Sequence, residues 1–135
     1  MLAYWRGCSG SFLAACLVYF AYNHFLSLTS YFGLVLAMIP FILLGSVFGY
    51  ALWYMLQAKR LGFWAGFACF ILLGLLYSLA FHSIFPFIWI FHWVIVVGAL
   101  FFYLAQLLPN RAASTILAFS GPFVALVLGF AARTQ

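Results

Sequence analysis

Apolar residues run almost unbroken along this chain, and its few polar residues fall in clumps that divide it into five stretches. A bilayer-spanning helix uses about 20 mainly apolar residues. By that measure residues 7–28, 31–57, 61–82, 87–108 and 111–132 each predict one span. Helices are the expected form, because lipid offers no hydrogen-bond partner to bare backbone. The short alternating segments of a β-barrel are not what the chain shows.

The first stretch is the weakest, with Asn23, His24 and Ser27 crowding its far end. The second is the longest and carries Pro40. A bend is expected there, since proline removes one backbone hydrogen bond. Lys59 and Arg60 close this stretch, and Pro86 marks the turn between the third and fourth. Pro109 and Asn110 break the pattern before the fifth, with Asn110 read as its N-cap. Gly121–Pro122 is expected to interrupt the fifth. The predicted fold class is therefore all-α, a polytopic five-helix membrane bundle forming one integral domain over residues 1–135.

Composition sharpens that picture. Of 135 residues, 70% are hydrophobic, 23% aromatic and only 4% charged, with no Asp or Glu. A soluble domain averages about 25% charged residues, and a disordered chain needs low hydrophobicity and high charge. Neither description fits. The absent carboxylates exclude acid–base catalysis by Asp or Glu, carboxylate-built cation sites and acid-based ion relays. They also deprive every Lys and Arg of an internal carboxylate partner, so each is expected to reach water or lipid phosphate. The net charge of +5 is too scattered to be a nucleic-acid footprint.

Five spans place Arg6, Lys59, Arg60 and Arg111 on one side and Arg133 on the other. The positive-inside rule then puts the N-terminus in the cytoplasm and the C-terminus outside, and residence in the cell membrane is expected. Aromatic residues gather at headgroup level in such proteins. Tyr4, Trp5, Trp53, Tyr54, Trp64 and Tyr103 fall near the inner ends, and Tyr31, Tyr77, Trp89 and Trp93 near the outer ends. Leu13-Ala14-Ala15-Cys16 resembles a lipoprotein cleavage box, but the segment before it is too polar for a signal peptide. A faint echo between residues 51–54 and 99–102 is ascribed to chance in so biased a composition.

Small residues at helical spacing form the clearest pattern. Gly45 and Gly49, Gly62 and Gly66, and the series Gly121, Ala125, Gly129 recur every four residues and so share a helix face. Such faces let two backbones approach closely, within one chain or between chains. Three histidines, His24, His82 and His92, come to the outer leaflet in the five-span topology, with His92 roughly 7 Å deep by helix rise. Metal binding, haem ligation or proton relay are the chemistries open to them. No ligand spacing supports these, and no carboxylate is there to orient a ring. The expectation is a solvated polar cluster with no metal and no cofactor. Cys8, Cys16 and Cys69 lack CxxC spacing and imply no disulfide framework; Cys8, at the predicted boundary, is a candidate for reversible lipidation.

Polar residues within the spans are few and make no continuous stripe through the bilayer, which argues against a water-filled pore in one chain. The expected function is that of a small non-enzymatic membrane protein, an accessory subunit or self-assembling module. Its partners are the lipid bilayer and either copies of itself or another membrane protein, not nucleic acid. The alternative is a small transporter or channel whose pathway forms between protomers, for a neutral, apolar or anionic solute.

Overall fold

In a computed structural model, which describes residues 2–22, 33, 36–84 and 89–133, the chain folds into helices packed side by side. Five are long: α1 (Leu2–Tyr22), α2 (Ile39–Ala58), α3 (Phe63–Ile84), α4 (Trp89–Gln106) and α5 (Arg111–Arg133). Four stretches, Ile39–Ala58, Phe63–Ser83, Trp89–Gln106 and Arg111–Ala131, are long and apolar enough to cross a membrane.

The exception, α1, is the centre of the bundle. Residues 7–12 are buried consecutively, which a helix covered on one side alone cannot achieve. Helix α1 packs against α2, α4 and α5, while α4 packs in addition on α3 and α2. This arrangement explains the sequence of α1. Gly7, Cys8, Ser9, Gly10 and Ser11 make it less apolar than its neighbours, but they meet protein rather than lipid. Small side chains allow close approach where no hydrophobic drive acts between helices. A Cβ at Gly7 would overlap the ring of Phe102, and one at Gly10 would lie 3.0 Å from the carbonyl oxygen of Phe101.

Two apolar clusters fill the interior. Toward one end, Phe12, Ala15, Tyr19, Met38, Ile90 and Val94 join α1, α4 and the start of α2. Toward the other, Leu56, Phe70, Phe102 and Tyr103 join α2, α3 and α4. Here the Phe70 ring stacks on both Phe102 and Tyr103, with centroids 6.0 and 5.0 Å apart. The outward faces of α3 and α5 carry exposed Leu72, Leu76, Leu79, Ile116, Phe119, Phe123 and Phe130. Unpaired apolar surface on this scale is what a lipid-facing helix presents.

Several boundaries differ from expectation. Helix α1 begins at Leu2 rather than at residue 7, because Arg6 has acceptors inside the protein and does not need to leave the helix. Residues 23–28 of that expected span lie outside the described residues. Helix α2 begins at Ile39, with a turn at Met38 separating it from the helical residues 36 and 37, so Pro40 sits in its first turn. Proline is tolerated there because that N–H would lack an intrahelical acceptor anyway. Helix α3 starts two residues later than expected, and residues 87 and 88 of the fourth expected span lie outside the described residues.

Between α2 and α3 the chain turns through a Schellman motif. The Arg60 N–H donates to the Gln57 carbonyl at 3.1 Å and the Leu61 N–H to the Leu56 carbonyl at 3.3 Å. Arg60 carries φ 49°, the left-handed conformation usually filled by glycine, and it is the one such residue other than glycine among those described. That geometry costs about 1–2 kcal/mol for a residue with a Cβ. Asn110 caps α5 as expected, its Oδ1 accepting from the Ala112 N–H at 2.9 Å.

The expected break at Gly121–Pro122 does not occur, for α5 is continuous through Pro122. Proline at 122 leaves the carbonyl of residue 118 without its usual donor. The Ser9 hydroxyl of α1 donates to that Ala118 oxygen at 2.9 Å. Gly121 makes room for it, since a Cβ there would lie 2.8 Å from the Ser9 Cα.

Candidate functional site

The helix pairings bring one set of ends together. Arg6 of α1 meets Gln106 of α4 and Ser114 of α5, while Tyr103 of α4 meets Phe63 of α3. The start of α1, the turn from α2 to α3 and the turn from α4 to α5 therefore share one end of the bundle. Arg6, Lys59, Arg60 and Arg111 all lie there.

Arg6 organises the first part of this end. Its Nη1 donates to the Ser114 Oγ at 2.9 Å, and its Nη2 to the Gln106 Oε1 at 2.8 Å and the Gln106 carbonyl at 3.3 Å. The Gln106 amide in turn donates to the Ala3 carbonyl at 2.8 Å. One guanidinium thus ties three helices through neutral acceptors and places its charge beside the last carbonyls of α4, where a cation is favoured. This corrects the expectation that every cation must look to water or lipid phosphate. The buried Nε of Arg6 has no acceptor among the described residues. The network was discernible in principle: Arg6, Gln106 and Ser114 lie at one depth once five antiparallel spans are drawn.

At the opposite end, His82 of α3 and His92 of α4 come together with ring centroids 5.1 Å apart. The Ser78 hydroxyl meets the His92 Nδ1. His24, the third member of the expected cluster, lies outside the described residues. Among the described residues no third His, Cys, Asp or Glu joins the pair. What the arrangement does chemically is to satisfy one imidazole nitrogen within the protein.

The small-residue candidates separate by what faces them. A Cβ at Gly45 would lie 3.2 Å from the Tyr77 ring, and one at Gly49 3.3 Å from the Phe102 ring. One at Gly66 would collide with the Tyr103 hydroxyl, and Gly121 abuts Ser9. Ala125 packs on the first apolar cluster. Gly62 and Gly129 face open space. The spacing pattern missed Gly7, Gly10, Gly74 and Gly98. At Gly74 a Cβ would lie 2.9 Å from the Val96 Cα, a close helix–helix approach.

Three tyrosines expected as interfacial anchors serve instead as ties between helices. Tyr4 donates to the Leu43 carbonyl, Tyr77 to the Phe41 carbonyl and Tyr103 to the Phe63 carbonyl, each at 3.0 Å. Trp5, Tyr54, Trp64, Trp89 and Trp93 are exposed. No disulfide joins the cysteines among the described residues. Cys8 is buried beside Tyr4 and Ser46, away from the surface that lipidation would need.

Two cavities bear on function. One of about 60 Å³ lies between α1, α2, α3 and α4, bordered by Gly45, Gly49, Gly74 and Gly98. Small-molecule sites usually enclose about 300–1,000 Å³, so this one is no passage for a solute. The second, about 180 Å³, is a crevice between α2 and α5 with α1 as its floor.

Fold and site together define a multi-pass helical membrane protein. No protein-family model, curated protein or solved structure matches the chain.

Proposed function

We propose that this protein is a non-enzymatic module of the cell membrane that works by association, as a self-assembling unit or as an accessory subunit of another membrane protein. In this reading α1 also crosses the bilayer, the basic end faces the cytoplasm and the C-terminus lies outside. Four cations at one end against one beyond the other support that orientation.

The crevice between α2 and α5 carries the association. Helices α2 and α5 both pack on α1 but do not close over it. Trp5, Cys8, Ser9 and Phe12 form the floor, and Ile39, Leu43, Pro122 and Ala125 the walls. The glycine faces of α2 and α3 do not offer such a surface, since Gly45, Gly49 and Gly66 are filled from within the chain. A helix laid in the crevice would gain van der Waals contact on both walls, the main drive to association in lipid.

Crosslinking in native membranes tests this. Leu43→Cys, in a background lacking the three native cysteines, should yield a discrete adduct with a short bis-maleimide. Leu76→Cys, exposed on the lipid face of α3, should not. Equal crosslinking at both positions, or none at Leu43→Cys, rejects association through this crevice.

A further inference from the structure

The turn between α2 and α3 borders a cavity of about 430 Å³, lined by Trp53, Leu56, Gln57, Arg60, Phe63 and Tyr103, among others. Its chemistry is two-sided. Leu56 and Phe63 supply apolar walls, while Arg60 and Gln57 supply hydrogen-bond donors. We infer that this cavity holds an anionic phospholipid, with its phosphate on Arg60 and the upper part of one acyl chain against Leu56 and Phe63.

Three observations carry the inference. The first is charge. The chain has five Lys and Arg and no Asp or Glu, so Arg60 has no side-chain anion of its own to pair with. Arg6, half-buried at this end, is occupied by Gln106 and Ser114, whereas Arg60 is exposed. A guanidinium is also the side chain best shaped to bind a phosphate through two parallel bonds.

The second is backbone geometry. Arg60 occupies the left-handed position of a Schellman motif, where glycine would be free of strain. A residue held in a sparsely populated conformation points to a use for its side chain. Here the motif fixes the origin of the Arg60 side chain beside the cavity that it lines.

The third is depth. Tyr54 and Trp64 flank the turn and are exposed, as amphipathic rings at headgroup level are. Arg60 then lies at the level of lipid phosphate, beside the cavity it lines. Basic pockets between membrane helices are known to take anionic headgroups on the cytoplasmic side.

The inference rests on the membrane reading but not on the association reading. Purified protein would be exchanged into nanodiscs of matched palmitoyl-oleoyl phosphatidylglycerol and phosphatidylcholine, then released for native mass spectrometry. The wild type should retain phosphatidylglycerol over phosphatidylcholine by about five- to tenfold, the effect of one phosphate-bound cation. Arg60→Gly should abolish the preference while its thermal midpoint stays level or rises, because glycine relieves the turn. Lys59→Gln, which changes a neighbouring cation outside the cavity lining, should leave the preference within about twofold, as a screened surface charge does.

Equal retention of both lipids by the wild type, or a preference that survives Arg60→Gly, overturns the proposal. Displacement of the lipid by excess inorganic phosphate would show a free-anion site and overturn it equally. Release of the protein from native membranes by alkaline carbonate would instead reject the membrane reading itself.

Discussion

The Ser9 hydroxyl donates to the Ala118 carbonyl, the acceptor that Pro122 deprives of its usual partner. One side chain of α1 thereby mends the hydrogen-bond ladder of α5. In lipid such a repair matters because no water is at hand for an orphaned carbonyl. Side-chain bonds between membrane helices are worth ~0.6 kcal/mol on average, whereas an unsatisfied buried acceptor costs ~1–3 kcal/mol. Ser9→Ala should therefore cost about 1–2 kcal/mol in the native background. In a Pro122→Ala background, where the backbone N–H returns, the same change should cost less than ~0.5 kcal/mol. A double-mutant cycle by denaturant unfolding in mild detergent checks this. Equal costs in both backgrounds would show that Ser9 does not serve the proline.

The Arg6 network predicts an asymmetry between its members. Removing an acceptor leaves a partly buried charge short of a partner, whereas removing the charge itself leaves only neutral groups behind. Gln106→Leu should destabilise by about 1.5–3 kcal/mol, and Arg6→Met by clearly less. The same unfolding measurement reads both. A larger loss for Arg6→Met would mean that the guanidinium is a net stabiliser and not a charge being accommodated.

Glycines with the same spacing should behave oppositely according to what lies across from them. Gly129 lies inside α5 and faces open space, so Gly129→Ala should be neutral or stabilise by ~0.5–1 kcal/mol through helix propensity. A Cβ at Gly7 meets the Phe102 ring, which is buried and stacked on Phe70. Gly7→Ala should cost about 1–3 kcal/mol through overpacking. Thermal midpoints of the two variants, compared side by side, decide the point.

This contrast shows what could be read from the chain and what could not. The number and order of the five long helices follow from the hydropathy pattern, because lipid tests every residue of a span against one apolar standard. The cap at Asn110, the turn at Lys59–Arg60 and the approach of His82 to His92 follow from local chemistry and alternating direction. Position within the bundle does not follow. Gly7, Ser9 and Ser11 weaken the apolar signal of α1 because that helix is surrounded by protein, a fact set by the other helices. Spacing alone likewise marks Gly62 and Gly129 as packing residues, yet whether space is needed depends on the residue opposite. Pro122 reads as a break until Ser9, 109 residues before the Ala118 acceptor in sequence, supplies the missing donor.

We propose that five helices, with α1 inside the bundle, carry the chain across the membrane with the basic end in the cytoplasm. Single cysteines at Gln57, Asn110 and Gln135, placed one at a time in a cysteine-free chain, test it most directly when labelled in intact cells with a membrane-impermeant maleimide. The account predicts labelling at Gln135→Cys alone, with Gln57→Cys and Asn110→Cys reacting only after permeabilisation. Protection of all three positions in intact cells, or external labelling of Gln57→Cys, would contradict it.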